Sequence, residues 1–145
     1  MKYIGFDREE DAELWARKKL GINEQPGFFR ALSAVDDNNN FICVVVMTNF
    51  SPLNIDFNIA IANKNAMKPK ATVHMFNQIF KLAFDQLHVN RVTGLIPGKN
   101  AESKNIAEHF GFKLEGIMRK AFAEDDLHVY GITKDDFINH AWYRG

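Results

Sequence analysis

Two lysines, Lys68 and Lys70, lie in a short polar connection where the chain could bind an anion. The connection follows a predicted strand that ends at Ile61 and precedes a long predicted helix. In a parallel crossover the helix begins at the carboxyl end of the preceding strand, and its free N–H groups and dipole favour negative charge there. The position after Ile61 is therefore the predicted ligand site. The alternative is an empty helix start with two solvated lysines.

A change in hydrophobic period predicts this crossover. From Asn54 to Ile61, polar and apolar residues alternate, which is typical of a strand with one buried face. From Ala71 to His88, apolar residues recur at helical spacing: Phe76, Ile79, Phe80, Ala83, Phe84 and Leu87. Arg91 to Ile96 is an apolar strand, so the segment 54–96 is predicted to be a right-handed parallel unit whose strands diverge toward their carboxyl ends.

The other predicted elements complete one domain spanning residues 1–145. A first helix ends near Gly21, and Phe29–Val35 and Phe41–Thr48 form a hairpin. After the crossover, a short helix between Asn100 and Gly111 precedes two further strands, Lys113–Phe122 and Leu127–Ile132.

Short motifs between Asn90 and Tyr130 carry a family resemblance. They are Asn90-Arg91-Val92 entering a strand, Asn100-Ala101-Glu102-Ser103 opening a helix, Gly111-Phe112 ending it, Glu115-Gly116 with Arg119, and Asp126 with Tyr130; Phe84-Asp85-Gln86-Leu87 fits upstream. With these motifs the chain resembles the GCN5-related N-acetyltransferases (GNAT), in the branch that includes the ribosomal-protein alanine acetyltransferases. The resemblance implies an α/β (α+β) fold, with a mixed, mostly antiparallel twisted sheet, a central parallel strand pair and helices on both faces.

The resemblance also implies an enzyme that transfers an acetyl group from acetyl-coenzyme A to a primary amine by direct attack. The pantetheine arm of coenzyme A would run between the two parallel strands, whose separated edges offer free backbone groups. Asn100 would contact this arm, and Ser103 would donate a proton to the leaving thiolate. Both residues could instead be only a helix cap and a first-turn residue. A backbone N–H in Ile59-Ala60-Ile61 would stabilise the developing oxyanion.

The pyrophosphate loop departs from the family pattern. Family members carry alternating glycines before the long helix, because backbone N–H groups must approach phosphate closely. The corresponding positions here are Met67-Lys68-Pro69-Lys70-Ala71-Thr72, without glycine, and Pro69 has no N–H to donate. We therefore predict pyrophosphate contacts from Lys68, Lys70, Ala71 and Thr72, with the lysine charges replacing the glycine backbone.

Two features leave a second interpretation open. Many family members carry a tyrosine four residues before the Gly-Phe pair, where this chain has Ala107. The missing tyrosine and glycines also fit a non-catalytic GNAT-fold binding or interaction module that has lost normal coenzyme A binding. For catalysis, Asp56 is the first candidate for the general base, with His128 or ordered water as alternatives. Asp56 could equally be an exposed residue of an alternating strand.

Composition limits the other function classes. Eighteen basic and eighteen acidic side chains cancel, which argues against binding to nucleic acid or to an anionic membrane. No segment has the length and apolarity of a membrane span, so we expect a cytoplasmic protein.

Cys43, the single cysteine, lies in an apolar run and is predicted to be a core residue. The histidines lack the spacing of a metal site. The expected partner is a small-molecule or peptide amine, and a homodimer is compatible with this interpretation.

Overall fold

The computed structural model describes residues 1–145 and contains one seven-stranded sheet. The strands are β1 (Lys2–Gly5), β2 (Phe29–Val35), β3 (Phe41–Thr48), β4 (Asn54–Ile61), β5 (Arg91–Pro97), β6 (Lys113–Phe122) and β7 (Asp125–Thr133). The α-helices are α1 (Glu9–Leu20), α2 (Pro69–Phe80), α3 (Ala101–His109) and α4 (Lys134–Ile138). Across the sheet the order is β1-β2-β3-β4-β5-β7-β6, and only β4 and β5 are parallel neighbours. The predicted fold class is confirmed.

Helices cover the two faces of the sheet unequally. On one face, α1 buries Ala12 and Ala16 against β2, β3 and β4. On the opposite face, α2, α3 and α4 enclose the larger core, which is rich in aromatic rings. Phe76 and Phe80, for example, have ring centroids 5.1 Å apart. The half of the sheet formed by β5, β7 and β6 has no helix over its α1 side.

The long predicted helix changes its hydrogen-bonding pattern after Phe80. The segment Lys81–Gln86 is a π-helix, and the Leu87 N–H donates to the Leu82 carbonyl at 2.9 Å. The shared helical spacing of Phe76, Phe80, Phe84 and Leu87 predicts one buried face; the three phenylalanines are buried, whereas Leu87 is only partly buried. The π turn buries Leu82, Ala83 and Phe84 in the same core as the preceding α-helical turns.

The parallel pair separates as predicted. Only Asn54–Phe57 of β4 pairs with Arg91–Gly94 of β5. Beyond these residues β4 continues to Ile61 paired with β3 alone, and β5 continues to Pro97 paired with β7 alone. The two strands therefore leave a gap at their carboxyl ends, with unpaired backbone edges facing each other.

A polar chain crosses the sheet just below this gap. Asn54 Oδ1 accepts a 2.6 Å hydrogen bond from Thr93, and the Arg91 Nε donates to the same Thr93 hydroxyl at 3.0 Å. Arg91 also reaches over β7 to pair with Glu115 on β6 at 2.6 Å. This ion pair passes above Gly131, where a Cβ atom would lie 2.5 Å from both charged groups.

Two further sequence expectations concern burial and membranes. Cys43 is fully buried in the core, and burial raises the pKa of its thiol to about 12, which confirms its structural role. None of the helices combines the length and the apolar character needed to cross a bilayer.

Candidate functional site

The gap between β4 and β5 opens into a cleft of about 410 Å³, here called the strand cleft. Eight of its 13 lining residues are apolar. Three predicted site residues, Ile59, Asn100 and Ser103, line it together. The cleft also reaches the end of α1 at Leu20 and the β6–β7 turn at Phe122, so it extends from one face of the sheet to the other.

Asn100 and Ser103 form the start of α3. The Asn100 Oδ1 accepts the Ser103 backbone N–H at 3.1 Å, which makes Asn100 the N-cap of the helix. The cap holds the Ser103 side chain at the cleft wall, where this residue is 8% exposed. The structural role of Asn100 is therefore confirmed, and its Nδ2 group still has hydrogen-bonding capacity toward the cleft. Ala107 lies one turn further along α3 and is fully buried.

The predicted backbone segment of β4 lies along the separated edge. Ile59 lines the strand cleft, and Ile61 lines a second depression next to α3. Ala60 points to the opposite face and packs with the α1 cluster. This alternation leaves the backbone of Ile59-Ala60-Ile61 accessible from the gap, with hydrogen bonds to β3 on its other side.

The second depression, called the α3 depression, has a volume of about 1040 Å³. Its lining includes Ile61 at the end of β4, Lys64 in the connection that follows, and Ala101 and Lys104 on α3. It therefore continues the strand cleft along the same strand and helix. Lys64 and Lys104 match no motif in the sequence, although both lie within four residues of an element end adjoining the predicted gap.

Lys68, Lys70 and Ala71 line a different surface, the α2 depression of about 590 Å³. It also contains Lys81 and Arg144 and has no acidic residue. Thr72 is buried, and its hydroxyl donates to the Lys68 carbonyl at 2.8 Å. The first N–H groups of α2, those of Lys70 and Ala71, have no acceptor within the helix. The structure thus places Lys68 and Lys70 in a different depression from Asn100 and Ser103.

Asp56 is held by amide side chains on the α1 side of the sheet. Its Oδ1 and Oδ2 accept hydrogen bonds of 3.0 Å from the Asn54 and Asn49 Nδ2 groups. Asp56 lies one position before Phe57, which is the last residue of β4 that pairs with β5 and the first residue of β4 that lines the strand cleft. The structure does not bring Asp56 next to Ser103. Its role as a general base stays a prediction.

A clasp joins the loop before α3 to the β6–β7 turn. Asp125 Oδ2 accepts the Lys99 N–H at 2.9 Å, and the Gly98 N–H donates to the Asp126 carbonyl at 2.8 Å. The Lys99 N–H lowers the pKa of the Asp125 carboxyl, with help from the Asp126 N–H and the nearby positive charges. This clasp fixes the backbone immediately before Asn100. Pro97-Gly98 and Asp125-Asp126 are typical turn signals, but neither signal predicts that the two turns contact each other.

A third cavity, the α1 cavity of about 400 Å³, adjoins the strand cleft. The two share Leu20, Ile22 and Asn58. Inside it, Glu13 is 5% exposed and forms a bidentate pair with Arg17 at 2.8 and 3.0 Å. The Asn58 Nδ2 donates to the Val46 carbonyl and to Thr48 Oγ1. The strand cleft therefore has a polar extension on the α1 side, in which Glu13 is neutralised by Arg17 and Glu24 adds a second carboxylate.

His128 lies beside the clasp, with its Nδ1 buried and without a hydrogen-bond partner. A Cβ atom on Gly98 would lie 3.0 Å from its Nε2. His128 lines the α3 depression, on the opposite side of the sheet from Asp56. No group of three or more His, Cys, Asp or Glu side chains converges to hold a metal ion.

Comparisons with known proteins connect this geometry to one fold. Neither a family model nor a curated protein sequence matches the chain. Among solved structures, a spermidine N-acetyltransferase chimera from Vibrio cholerae and hSSAT superimposes with a TM-score of 0.67 at 16% identity, covering 96% of this chain and 100% of that one.

Two other structures agree. The dodecameric spermidine N-acetyltransferase from Vibrio cholerae gives a TM-score of 0.61 at 20% identity, with 90% of this chain and 77% of that one covered. A GNAT-family acetyltransferase from Bacillus anthracis gives 0.58 at 15% identity, over 72% and 66% of the two chains. The chain therefore has the fold of GNAT acetyltransferases.

Proposed function

We propose that this protein is an acetyl-coenzyme A dependent N-acetyltransferase that acetylates a primary amine. The observation that carries the proposal is the early end of β4–β5 pairing, which opens the strand cleft onto Asn100 and Ser103. Two unpaired strand edges suit an amide-bearing chain, because they offer alternating N–H and C=O groups. The structural neighbours named as acetyltransferases support the same activity.

The residues around the gap fit the parts of coenzyme A. The pantetheine arm would lie in the strand cleft against Ile59 and the Asn100 amide. Its phosphates would lie near the start of α2, where the free N–H groups of Lys70 and Ala71 and the Lys68 charge favour an anion. Lys64 and Lys104 line the α3 depression together with Glu102 and Glu108, and they are a second pair of cationic side chains that could contact the phosphates.

Acetyl-coenzyme A supplies the acetyl group as an activated thioester. In the transfer a C–N bond forms and the thioester C–S bond breaks, the amine loses a proton and the sulfur gains one. The Ser103 hydroxyl, at the cleft wall, is proposed to donate the proton to sulfur. A backbone N–H of Ile59-Ala60-Ile61 is proposed to stabilise the carbonyl oxygen, and Asp56 to take the amine proton on the α1 side.

A non-catalytic module is the second candidate. It is favoured by Pro69 at the first position of α2, by the absence of glycine before this helix and by the buried Ala107. Such a module would bind coenzyme A poorly or would fail to turn over.

The test is a calorimetric titration of coenzyme A, with acetyl transfer measured in parallel by thiol release. We expect binding, turnover with an amine acceptor, and a loss of turnover in Ser103→Ala with little change in affinity. Absence of coenzyme A binding to the wild-type chain would contradict the proposal and favour the module.

Charge variants identify the phosphate contacts. The double variants Lys64→Ala/Lys104→Ala and Lys68→Ala/Lys70→Ala are compared with Lys18→Ala/Lys19→Ala, which removes the same charge from the end of α1. Each lysine that contacts a partly exposed phosphate contributes about 1 kcal/mol, so a double variant in the site should bind coenzyme A roughly 20- to 30-fold more weakly at low salt. Binding of pantetheine, which lacks the phosphates, should not change. Equal coenzyme A affinity in Lys68→Ala/Lys70→Ala and wild type would remove these two lysines from the site.

A further inference from the structure

The side of the strand cleft that faces α1 has an apolar rim. Along β5, Ile96 is buried toward α2–α4, so its neighbour Leu95 points to the α1 side, where it is 43% exposed. Phe122 from the β6–β7 turn and Ile22 after α1 line the same cleft and are 46% and 45% exposed. Large apolar side chains from three separate elements thus converge on one opening.

No element of the fold covers this rim. Helix α1 packs on β2, β3 and β4, and the adjoining surface of β5, β7 and β6 has no helix above it on this side. Leu127 of β7 also lines the cleft and extends the apolar surface away from α1. An acceptor that reaches the gap from the α1 side must pass between Ile22 and this surface.

The charges near the opening do not suit a polycation. The only carboxylates lining the strand cleft and the α1 cavity are Glu13 and Glu24. Glu13 is buried and both of its oxygens are paired with Arg17, so Glu24 is the one free carboxylate of this lining. Asp56, the proposed base, lies outside the lining and would serve the reacting amine only. A polyamine carries several ammonium groups, and each one that leaves water in the cleft would need a carboxylate as a compensating partner. An alkyl or aromatic group would be favoured, since it buries apolar surface against the rim.

From this combination we infer that the acceptor is a primary amine carried on an alkyl or aromatic body, with the body lying against Leu95, Phe122 and Ile22. The inference rests on the proposed acetyltransferase activity. It distinguishes this chain from the structural neighbours that are named for spermidine.

The experiment compares kcat/KM for phenethylamine, ethanolamine and spermidine at saturating acetyl-coenzyme A. Phenethylamine and ethanolamine both present one primary amine and differ in the apolar body. We expect phenethylamine to exceed both other amines by at least about tenfold, the usual scale of apolar discrimination in a pocket. A higher kcat/KM for spermidine would overturn the inference while leaving the acetyltransferase proposal intact.

Variants locate the contact. Leu95→Ser and Phe122→Ser should each lower kcat/KM for phenethylamine about tenfold and for ethanolamine by less than about twofold. Leu53→Ser, at a 63% exposed leucine outside the cavities, is the control and should change neither. Equal losses for phenethylamine and ethanolamine would contradict the proposed contact, because the variants would then act on the site as a whole.

A binding measurement separates the two proposals. Phenethylamine is titrated calorimetrically into the coenzyme A-loaded protein, wild type and Leu95→Ser. Binding that weakens in the variant, without acetylation of any amine, would support the apolar site and contradict the enzymatic function. If phenethylamine is neither bound nor acetylated, the inference is overturned.

Discussion

Substituting Gly98 by alanine tests whether the clasp positions the start of α3. A Cβ atom at residue 98 would lie 2.9 Å from Asp125 Oδ1 and 3.0 Å from His128 Nε2. Relaxed contacts of carbon with such atoms are about 3.5 Å, so each group must move by roughly half an ångström. Neither group moves freely. Asp125 is fixed by the N–H groups of Lys99 and Asp126, and His128 lies on a strand paired with β5.

The expected cost follows from these two restraints. Overpacking destabilises by about 1–3 kcal/mol, and a partly exposed loop should fall in the lower half of this range. For 145 residues, 1–2 kcal/mol corresponds to a decrease in Tm of about 3–6 °C. Displacing the Asp125 carboxylate also weakens the 2.9 Å hydrogen bond from the Lys99 N–H, one residue before Asn100. The loss of one such bond predicts coenzyme A binding that is about three- to tenfold weaker.

The assay is thermal denaturation together with calorimetric titration of coenzyme A. Gly116→Ala is the matched control, because nothing lies within 4 Å of a Cβ at residue 116. The double variant Gly98→Ala/Asp125→Ala should lose less stability than the sum of the single variants, since removing the carboxylate relieves the clash. Additive losses, or a Gly98→Ala protein indistinguishable from Gly116→Ala, would refute the clasp.

Three other perturbations test separate parts of the fold. Phe80→Ala removes a fully buried ring between Phe76 and Phe137 and should lower the free energy of unfolding by about 3–5 kcal/mol in urea denaturation, whereas a loss below about 1 kcal/mol would contradict its core position. Gly131→Ala should cost less than about 1 kcal/mol, because the Arg91 and Glu115 groups it meets are partly exposed, flexible side-chain ends; a loss of several kcal/mol would show that the pair cannot move aside. Asp125 has a pKa lowered from 3.8 by its N–H donors, so its contribution to stability is present above that pH and is lost as the pH falls through the folded-state pKa. The Tm difference between wild type and Asp125→Asn should therefore shrink as the pH falls below about 4, and a constant difference would contradict the charge-assisted contact.

Most of the architecture is predictable from local periodicity. The bounds of β2, β3 and β4 follow from alternating or continuous apolar runs limited by turn residues, because each of these strands has a buried face. The bounds of β6, whose residues are all exposed, follow only from the turn signals at Gly111 and at Glu124 to Asp126. The parallel pair follows from the change to helical spacing between β4 and β5. The π-helical segment is not predictable in this way, because Lys81–Gln86 continues the same apolar spacing as α2 and only its hydrogen bonds differ.

The site is predictable only where one element carries it. Asn100 and Ser103 are three residues apart on one helix, so the cap and the cleft wall follow from their spacing. Lys68 and Lys70 lie at the start of α2, as the onset of helical spacing predicts, but sequence does not determine which depression a connecting segment faces. The clasp and the apolar rim depend on contacts across 26 residues or more, such as Lys99 with Asp125, and no local pattern encodes them.

The fold holds the gap open from both sides. At the end of β4, the Ala62 N–H donates to the Ile42 carbonyl at 2.7 Å, which draws this strand toward β3. At the end of β5, the Gly98 N–H donates to the Asp126 carbonyl at 2.8 Å, which draws the other strand toward β7. Below the gap, the Thr93 hydroxyl and the Asn54 side chain tie the strands together at 2.6 Å. Each strand end is thus bonded to its outer neighbour, and these bonds hold the two ends in their separated positions. A ligand in the strand cleft therefore meets backbone groups that are already separated, so its binding free energy does not include a cost of separating the strands.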